Sequence, residues 1–550
     1  MIRGHTDRLE WENRRLREQL QDRDRRLREF GVQVPDGPFP TAHPHPYLAA
    51  GGGGGGGGEG GEGGGHASTS SAHQLWGNLS TSAAKGQRYG ASNFEGAVDS
   101  AVPSLIILKG TTLSLFGMHI DVAIYTKEHD DPESPTSYET FIKYALGKAT
   151  VDSVPSLPAT LEEAKRYAMF YLRSMNPYTP ILHKPDFFAL LEKRYEGHGL
   201  STGEEVTIQM LFAEIKYQIG VRNKNPQMKE EAFKHYKYSL GFYNELLLGR
   251  KTADVQALLL IALKQRTFPK PGAAWQCAKL ALNLVVELGW HRSANSLPER
   301  EQKKLSPHQK EMRKRLFWIA YTLCVALGTK LGLPMPLRTE DIDIEFPAHL
   351  PDNLPGEPEE CSFLVGIAAI RLQEITSRMF SDFFVAKRDP RRYAAEVTRY
   401  HDEILKWRAS LAPDLADPSK ARNERKVQSL FIEFWQDETL FFLRHPVIHS
   451  SSDARLNTEN SKIILNVASD MLACLTQQRA LNVLDVPWVS TVVCLAAIFT
   501  TLFIQEQRHE ELSTSEFRKL ETDMARWLEI MKDIGQMLGK ENGMPVLFRS

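Results

Sequence analysis

Two runs of this sequence decide how it folds: PKPGAAWQCAKLALNLVVELGWHRS (Pro269–Ser293) and KEMRKRLFWIAYTLCVALGTKLGLPMPLRTEDIDIEFP (Lys310–Pro347). In the first, polar side chains fall only at Gln276, Lys279, Asn283 and Glu287, a narrow stripe at helical spacing. The remaining circumference is apolar, so a helix over 272–289 is predicted to be enclosed on most sides. Gly289 follows as a left-handed cap, and Trp290, His291 and Arg292 begin an exposed loop. Ser306-Pro307 offers a cap and a first position for the second helix, 308–331. In it Met312, Leu316, Ile319, Leu323, Ala326 and Leu327 make a single buried face, with Arg313 and Lys314 pointing outward. Pro334 and Pro336 end it. From Asp341 to Phe346 acidic and apolar residues alternate strictly, so Asp341, Asp343 and Glu345 share one face of an extended exit.

Two such helices require a large helical core, and the pattern around them supplies it. Helical periodicity predicts helices over 160–175, 204–220, 228–248, 252–266, 362–386, 391–411, 425–449, 459–479, 487–507 and 513–538. No strand–helix–strand alternation appears, so the fold class is all-α. Before this body, LIILKGTTLSLFGMHIDVAIY (105–125) is rich in β-branched and aromatic residues around Gly110, which predicts a short hairpin or extended arm.

The first hundred residues have a different character. Leu9, Asn13, Leu16, Leu20, Arg23, Leu27 and Phe30 recur at 4-3 spacing, the seam of a short coiled-coil dimerisation helix over 1–30. Asn13 falls in register with Leu20 and Leu27, where one buried Asn fixes alignment and a two-stranded state. Residues 31–100 are dominated by Gly, Pro, Ser and His, including the run Gly51–Gly58. That composition buries too little apolar surface to offset chain entropy, so it reads as a disordered linker. Nothing in the spacing of His43, His45, His66 and His73 requires a metal. The chain thus divides into 1–30, 31–100, an entry segment 101–160 and a helical domain 161–540.

Composition limits the function. The net charge is −1 with charged residues at 25%, which gives no whole-chain electrostatic case for nucleic acid. The Arg-rich opening carries no secretory signal. Cys277, Cys324, Cys361, Cys474 and Cys494 never form a C-x-x-C pair, so they read as buried free thiols. The uncharged run Trp488–Ile504 falls short of the ~20 residues that span a bilayer and is diluted by Ser490, Thr491, Thr500 and Thr501. It reads as an enclosed core helix, with no membrane partner.

The two opening runs resemble the regulatory region of fungal zinc-binuclear-cluster transcription factors of the xylanolytic-activator type. The motif positions are Trp275, Gly289, His291, Arg313, Arg315, Leu316, Trp318, Asp341 and Asp343. MNPYTPILHKPDFFALLEKRY (Met175–Tyr195) resembles the entry element of these domains, a proline, a buried His and then a Phe. FIEFWQDETLFFLRHP (Phe431–Pro446) resembles the later helix that ends near Arg444 and Pro446. The N-terminal heptads resemble the dimerisation helix that follows the family's zinc cluster.

The resemblance implies a nuclear transcription regulator, acting on RNA polymerase II genes as a homodimer or as a heterodimer with related factors. It also implies a helical domain open to a small-molecule effector, for which Trp275, Trp318, Tyr321, Trp435 and Arg444 are the candidate lining. The departure is at the start. Family members place six cysteines in two C-x2-C-x6-C halves before the linker, and this sequence has none there. The expectation is therefore no cofactor in this chain, with zinc and promoter DNA reached only through a missing or partner cluster. Whether Met1 follows a lost upstream segment or begins a cluster-less protein stays open.

Two other classes compete. A cluster-less helical scaffold, or a dominant-negative partner, fits the same pattern. An all-α enzyme would need a carboxylate or nucleophile constellation. Asp130, Asp131 and Glu133 surround Pro132 and precede the helical body, so they do not line a helical cavity. Asp341, Asp343 and Glu345 have no phosphate-binding partner motif, and acids paired with Arg338 are the plainer reading. His445 and His449 have metal-pair spacing, but Pro446 breaks their helix. No catalytic residue and no metal ligand is assigned.

Overall fold

The computed structural model describes residues 107–109, 112–115, 118–121, 137–147, 153–268, 271–331, 333–349, 351–357, 361–383, 392–445, 454–484 and 488–537. The heptad helix, the Gly-rich linker, Asp130–Glu133, Pro446 and His449 lie outside those residues. Three short strands come first: β1 (Ile107–Lys109), β2 (Thr112–Leu115) and β3 (Met118–Asp121), an antiparallel meander in the order β1-β2-β3. Leu108 pairs with Leu113, and Leu113 with Ile120. The expected hairpin is there, extended by a third strand.

Everything after it is helical. The first half comprises α1 (Tyr138–Ala145), α2 (Leu161–Ser174), α3 (Lys184–Tyr195), α4 (Thr202–Arg222), α5 (Pro226–Leu240), α6 (Tyr243–Leu248), α7 (Thr252–Arg266), α8 (Pro271–Glu287), α9 (Glu299–Gln302) and α10 (Pro307–Leu331). The second half comprises α11 (Leu364–Phe383), α12 (Tyr393–Ala409), α13 (Pro413–Ala416), α14 (Asn423–Arg444), α15 (Ala454–Ala480), α16 (Trp488–Gln507) and α17 (Thr514–Met537). The all-α reading of the body holds.

Local chemistry explains the starts and stops. Ser201 and Glu204 close a capping box at α4: the Ser201 hydroxyl accepts from the Glu204 amide, and the Glu204 carboxylate accepts from the Ser201 amide at 2.7 Å. Ser306 and Gln309 do the same at α10, with bonds of 3.1 and 2.9 Å. At the end of α8, Gly289 takes φ +71°. The Trp290 amide then bonds Val285 O at 2.8 Å and the Gly289 amide bonds Val286 O at 2.9 Å, a Schellman stop.

Three expectations are corrected. Helix α3 occupies a stretch read only as an entry element. The single helix expected over 228–248 is two, because the amide of Phe242 bonds Ser239 O, three residues back, and the axis turns there. In α10 the apolar face is not single. Phe317, Ala320, Tyr321, Cys324 and Val325 are buried along with the predicted positions other than the half-buried Ala326, so the helix is enclosed nearly all round.

The packing forms two main cores. In the first, α4 is enclosed by α2, α5 and α7, and α7 continues onto α8 and α10. In the second, α14 sits among α11, α12 and α15, and α16 and α17 close over α15. Helix α11 is the wall between them. Ile370 belongs to the first core, while Val365, Ala368 and Leu372 belong to the second. Gly366 lets this wall close: a Cβ there would stand 2.6 Å from Pro177 O. Four thiols are buried, Cys277 and Cys324 in the first core and Cys474 and Cys494 in the second. Cys361 is half-buried.

Helix α16 is the uncharged run. Val493 to Ile498, Thr500 and Ile504 are all buried, as a core helix requires. Among the described residues no helix is long and apolar enough to cross a membrane.

Candidate functional site

The motif residues of α8, α10 and the exit segment come together in one place. The Schellman stop turns Gly289 O outward from α8, and Arg313 Nη2 donates to it at 3.0 Å. Arg313 is therefore buried rather than outward. Its charged form is disfavoured by desolvation, which lowers its pKa. Trp290, expected in the exposed loop, is also buried.

The exit itself is stitched to this loop. Asp343 and Ile344 both donate backbone N–H to His291 O, at 3.3 and 3.2 Å. Asp343 accepts from the Ser293 amide at 2.9 Å and pairs with Arg292 at 3.1 Å. Glu345 accepts from the Ser293 hydroxyl at 2.6 Å and from Asn295 Nδ2 at 3.2 Å. Desolvation is the largest influence on Glu345 and would raise its pKa; the Ser293 hydrogen bond, a backbone hydrogen bond and the charge of Lys314 together outweigh it and hold the carboxyl below its ordinary value. Trp318 Nε1 donates to Glu345 O at 3.0 Å, and its ring stacks on Phe346 at 4.6 Å. Asp341 stands apart, in a one-turn 3-10 segment (Thr339–Asp341), paired with Arg338 at 3.1 Å. Asp343 and Glu345 thus share the Ser293 loop, whereas the 3-10 turn separates Asp341 from the expected common face, and each acid has a partner.

A second convergence lies under Arg315, which is almost fully buried. Its guanidinium covers the Phe363 ring at 3.9 Å and lies 3.3 Å from Asp352 Oδ2. Asp352, 1% exposed, also accepts from the Lys184 amide at 3.1 Å and faces His183 Nε2 at 3.1 Å. One carboxylate thus joins the start of α3, the middle of α10 and the segment before α11.

The candidate effector residues fall into three places. Trp318 and Tyr321 are neighbours on α10, with rings 5.6 Å apart, and Trp275 Nε1 lies close over Gly328 on the same helix. Trp435 packs on Tyr178 and Phe431 at the junction of the two cores. Arg444 lies nine residues further along α14, roughly 13 Å at helical rise, and donates to Asn460 Oδ1 at 2.9 Å. The buried Arg444 also pairs with Glu459.

Where the cores meet, the polar contacts are few and specific. Tyr321 OH donates to Ser377 Oγ at 2.7 Å, and Lys330 Nζ lies 2.7 Å from Glu438 Oε1. At the rim Arg173 bonds Glu424, and Arg222 donates to Asn482 O.

Sequence reasoning missed three buried ionisable sites. Lys264 on α7 is fully enclosed, 3.5 Å from Glu214 on α4 and 3.2 Å above the Tyr217 ring. Desolvation drives its pKa down to about 8 against the pull of Glu214. His235 is held down at about 3 by burial and by the charge of Lys216. Asp437 on α14 is pushed up to about 8 by desolvation and by Asp470 and Glu433, with Arg408 opposing. Apart from Glu433, which lies four residues before Asp437 on α14, these partners come from other helices, so no local pattern announces them. A fourth convergence absent from the sequence reading brings His183, Asp186 and His308 together.

Residues 168–409 match the family described as "Fungal specific transcription factor domain". The chain is 26% identical over 264 residues to an "ABC-transporter-regulating transcription factor" of Aspergillus oryzae, covering 46% of this chain and 29% of that protein. It is 24% identical over 347 residues to "Activator of stress genes 1" of Saccharomyces cerevisiae, covering 56% and 35%. A "Positive regulator of purine utilization" from Emericella nidulans is 23% identical over 246 residues, covering 35% and 23%. The chain therefore spans about a third or less of the length of these curated relatives. The matched family and the Aspergillus oryzae relative are described as transcription factors.

Proposed function

The chain carries a fungal specific transcription factor domain over residues 168–409, and from that premise we propose that it regulates RNA polymerase II transcription in the nucleus as the regulatory part of a zinc-cluster factor. The observation that supports this most is the junction of its two helical cores. A regulatory domain needs an element with two packings of similar free energy, which a ligand or partner protein biases. Two cores that share one wall helix and a few polar contacts, Tyr321–Ser377 and Lys330–Glu438 among them, have that form.

In this reading the effector is a small molecule or a protein that binds one packing better than the other. The heptads at 1–30 pair this chain with itself or with a full-length relative. Promoter DNA is reached through the zinc cluster of the assembled factor.

The test is a reporter assay with the full chain fused to an unrelated DNA-binding module. The fused chain is expected to change reporter output, and the less destabilising pair Lys330→Met with Glu438→Leu should alter that output when compared at matched protein level. Output equal to the DNA-binding module alone, for the chain and for the variant, would remove the reading. A thermal screen against carbon-source metabolites tests the small-molecule form, and a compound that raises the melting temperature is the expected hit. Light scattering at high concentration, compared with Asn13→Leu, tests the pairing.

A further inference from the structure

We propose that His183, Asp186 and His308 form a zinc(II) site that pins the start of α3 to the start of α10. One ligand atom from each residue lies within 4.8 Å of the other two. His183 caps α3 and Asp186 sits in its first turn, while His308 is the second residue of α10.

The electronic arrangement is what calls for a cation. His183 Nδ1 is buried and has no hydrogen-bond partner, although Asp186 Oδ1 stands only 3.0 Å away. His308 Nε2 approaches the other carboxylate oxygen, Oδ2, at 2.7 Å. The two rings are 4.4 Å apart, centroid to centroid. Two imidazole nitrogens and a carboxylate therefore converge from three directions, and their electron density is balanced either by ring protons, as in the His308–Asp186 hydrogen bond, or by a metal cation held among them.

The far side of His183 is built as well. Its Nε2 faces the fully buried Asp352 at 3.1 Å, and Asp352 is itself fixed by Arg315 and the Lys184 amide. A carboxylate behind a ligating imidazole sets the ring's tautomer and leaves the opposite nitrogen free to bind metal. Two imidazoles and one carboxylate suit zinc, with bonds of about 2.0–2.2 Å and ligand atoms roughly 3.4 Å apart. The observed separations need only small side-chain adjustments to reach that. Asp186 and His308 face solvent, at 61% and 43% exposure, so water supplies the fourth position. Asp186 and His308 are 122 residues apart, a separation that no sequence motif for metal spans.

Cobalt(II) titrated into the full chain tests this, because it absorbs visibly in a four-coordinate site and reports geometry directly. The expected result is one saturable site with intense visible absorption, bleached by stoichiometric zinc, and a rise in melting temperature on adding zinc. His308→Gln and Asp186→Asn should abolish the absorption with the helical circular dichroism unchanged, and Asp352→Asn should weaken binding by about 10–100-fold. Absorption that persists undiminished in His308→Gln would assign the metal to other histidines and overturn the proposal. So would failure of the unmodified chain to saturate with metal in large excess.

Discussion

The hydroxyl of Tyr321 on α10 donates to Ser377 Oγ on α11 at 2.7 Å, and both side chains are sealed from solvent. The bond crosses from the first core to the wall of the second. Burial pushes the Tyr321 phenol up to about 12, so it remains a donor at physiological pH. Tyr321→Phe removes that donor and strands the Ser377 oxygen, at a cost of about 1–3 kcal/mol. Adding Ser377→Ala should recover part of the loss, because no orphaned group then remains. Urea unfolding of the single and double variants measures the coupling, and strict additivity would show that the two groups do not interact.

Lys330 and Glu438 make a second buried contact between the cores, with side chains only 11% and 10% exposed. Breaking such a pair is far worse than replacing it. Lys330→Met alone leaves a buried carboxylate without its partner and should cost about 3–5 kcal/mol. Lys330→Met with Glu438→Leu should cost much less. Calorimetry on the single variant should also separate the unfolding of the two cores into two transitions.

Asp437 gives stability a specific pH dependence. Its carboxyl is raised to about 8 by desolvation, with Asp470 and Glu433 adding to it. An unfolded aspartate titrates near 3.9, so between roughly pH 4 and pH 8 the folded chain holds a proton that the unfolded chain has released. Fewer protons on the unfolded state mean that this group's contribution falls as pH rises through that window and levels off above it. Asp437→Asn keeps the neutral form and should flatten that slope, most visibly between pH 5 and pH 7. A denaturation series from pH 5 to pH 8 checks the sign, and a slope that the substitution leaves unchanged counts against the assignment.

Gly366 on α11 has Pro177 O where a Cβ would go, 2.6 Å away, with Pro180 Cδ at 2.9 Å. Backbone cannot yield as a flexible side chain does. Gly366→Ala should therefore destabilise by about 1–3 kcal/mol, despite alanine's better helix propensity. Gly220→Ala is the milder contrast, since its nearest atoms, Lys229 Cγ at 2.8 Å, Lys229 N at 2.9 Å and Asn225 O at 3.0 Å, all stand further off than Pro177 O does at Gly366. Thermal unfolding of both variants ranks the two environments, with Gly366 expected to lose more.

Much of the helical plan was readable from spacing alone. The polar stripe at Gln276, Asn283 and Glu287 is exposed as expected, and Gly289 does take the left-handed turn. Two caps, Ser201 and Ser306, mark helix starts within a few residues of where periodicity placed them. Elements whose identity depends on what encloses them were not readable. Helix α3 opens with Lys184-Pro185 and mixes charge with apolar residues evenly, so its own pattern is weak. Arg313 carries the same charge as Lys314, yet only Arg313 is buried, because Gly289 O happens to face it.

The sites were harder still. The exit acids were visible as a face, but their partners Ser293 and Asn295 come from a loop whose path no periodicity specifies. Lys264 sits in LLLIALKQR, where an isolated lysine reads as a surface residue. Only the arrival of Glu214 and Tyr217 from α4 makes its burial affordable. His183 was noticed for its motif, while His308 was passed over as an ordinary polar residue in the first turn of α10.

The distribution of thiols provides a built-in clock for each half of the molecule. Cys277 and Cys324 are sealed in one core, Cys474 and Cys494 in the other, and burial raises the pKa of all four. A thiol reagent reaches any of them only while the helices around it have separated. Mass spectrometry of the unmodified chain after timed alkylation would therefore read the opening rate of each half separately, with Cys361 as the early-reacting internal reference. A regulatory ligand that slows one pair and leaves the other untouched would reveal which half it grips, before its binding site is known.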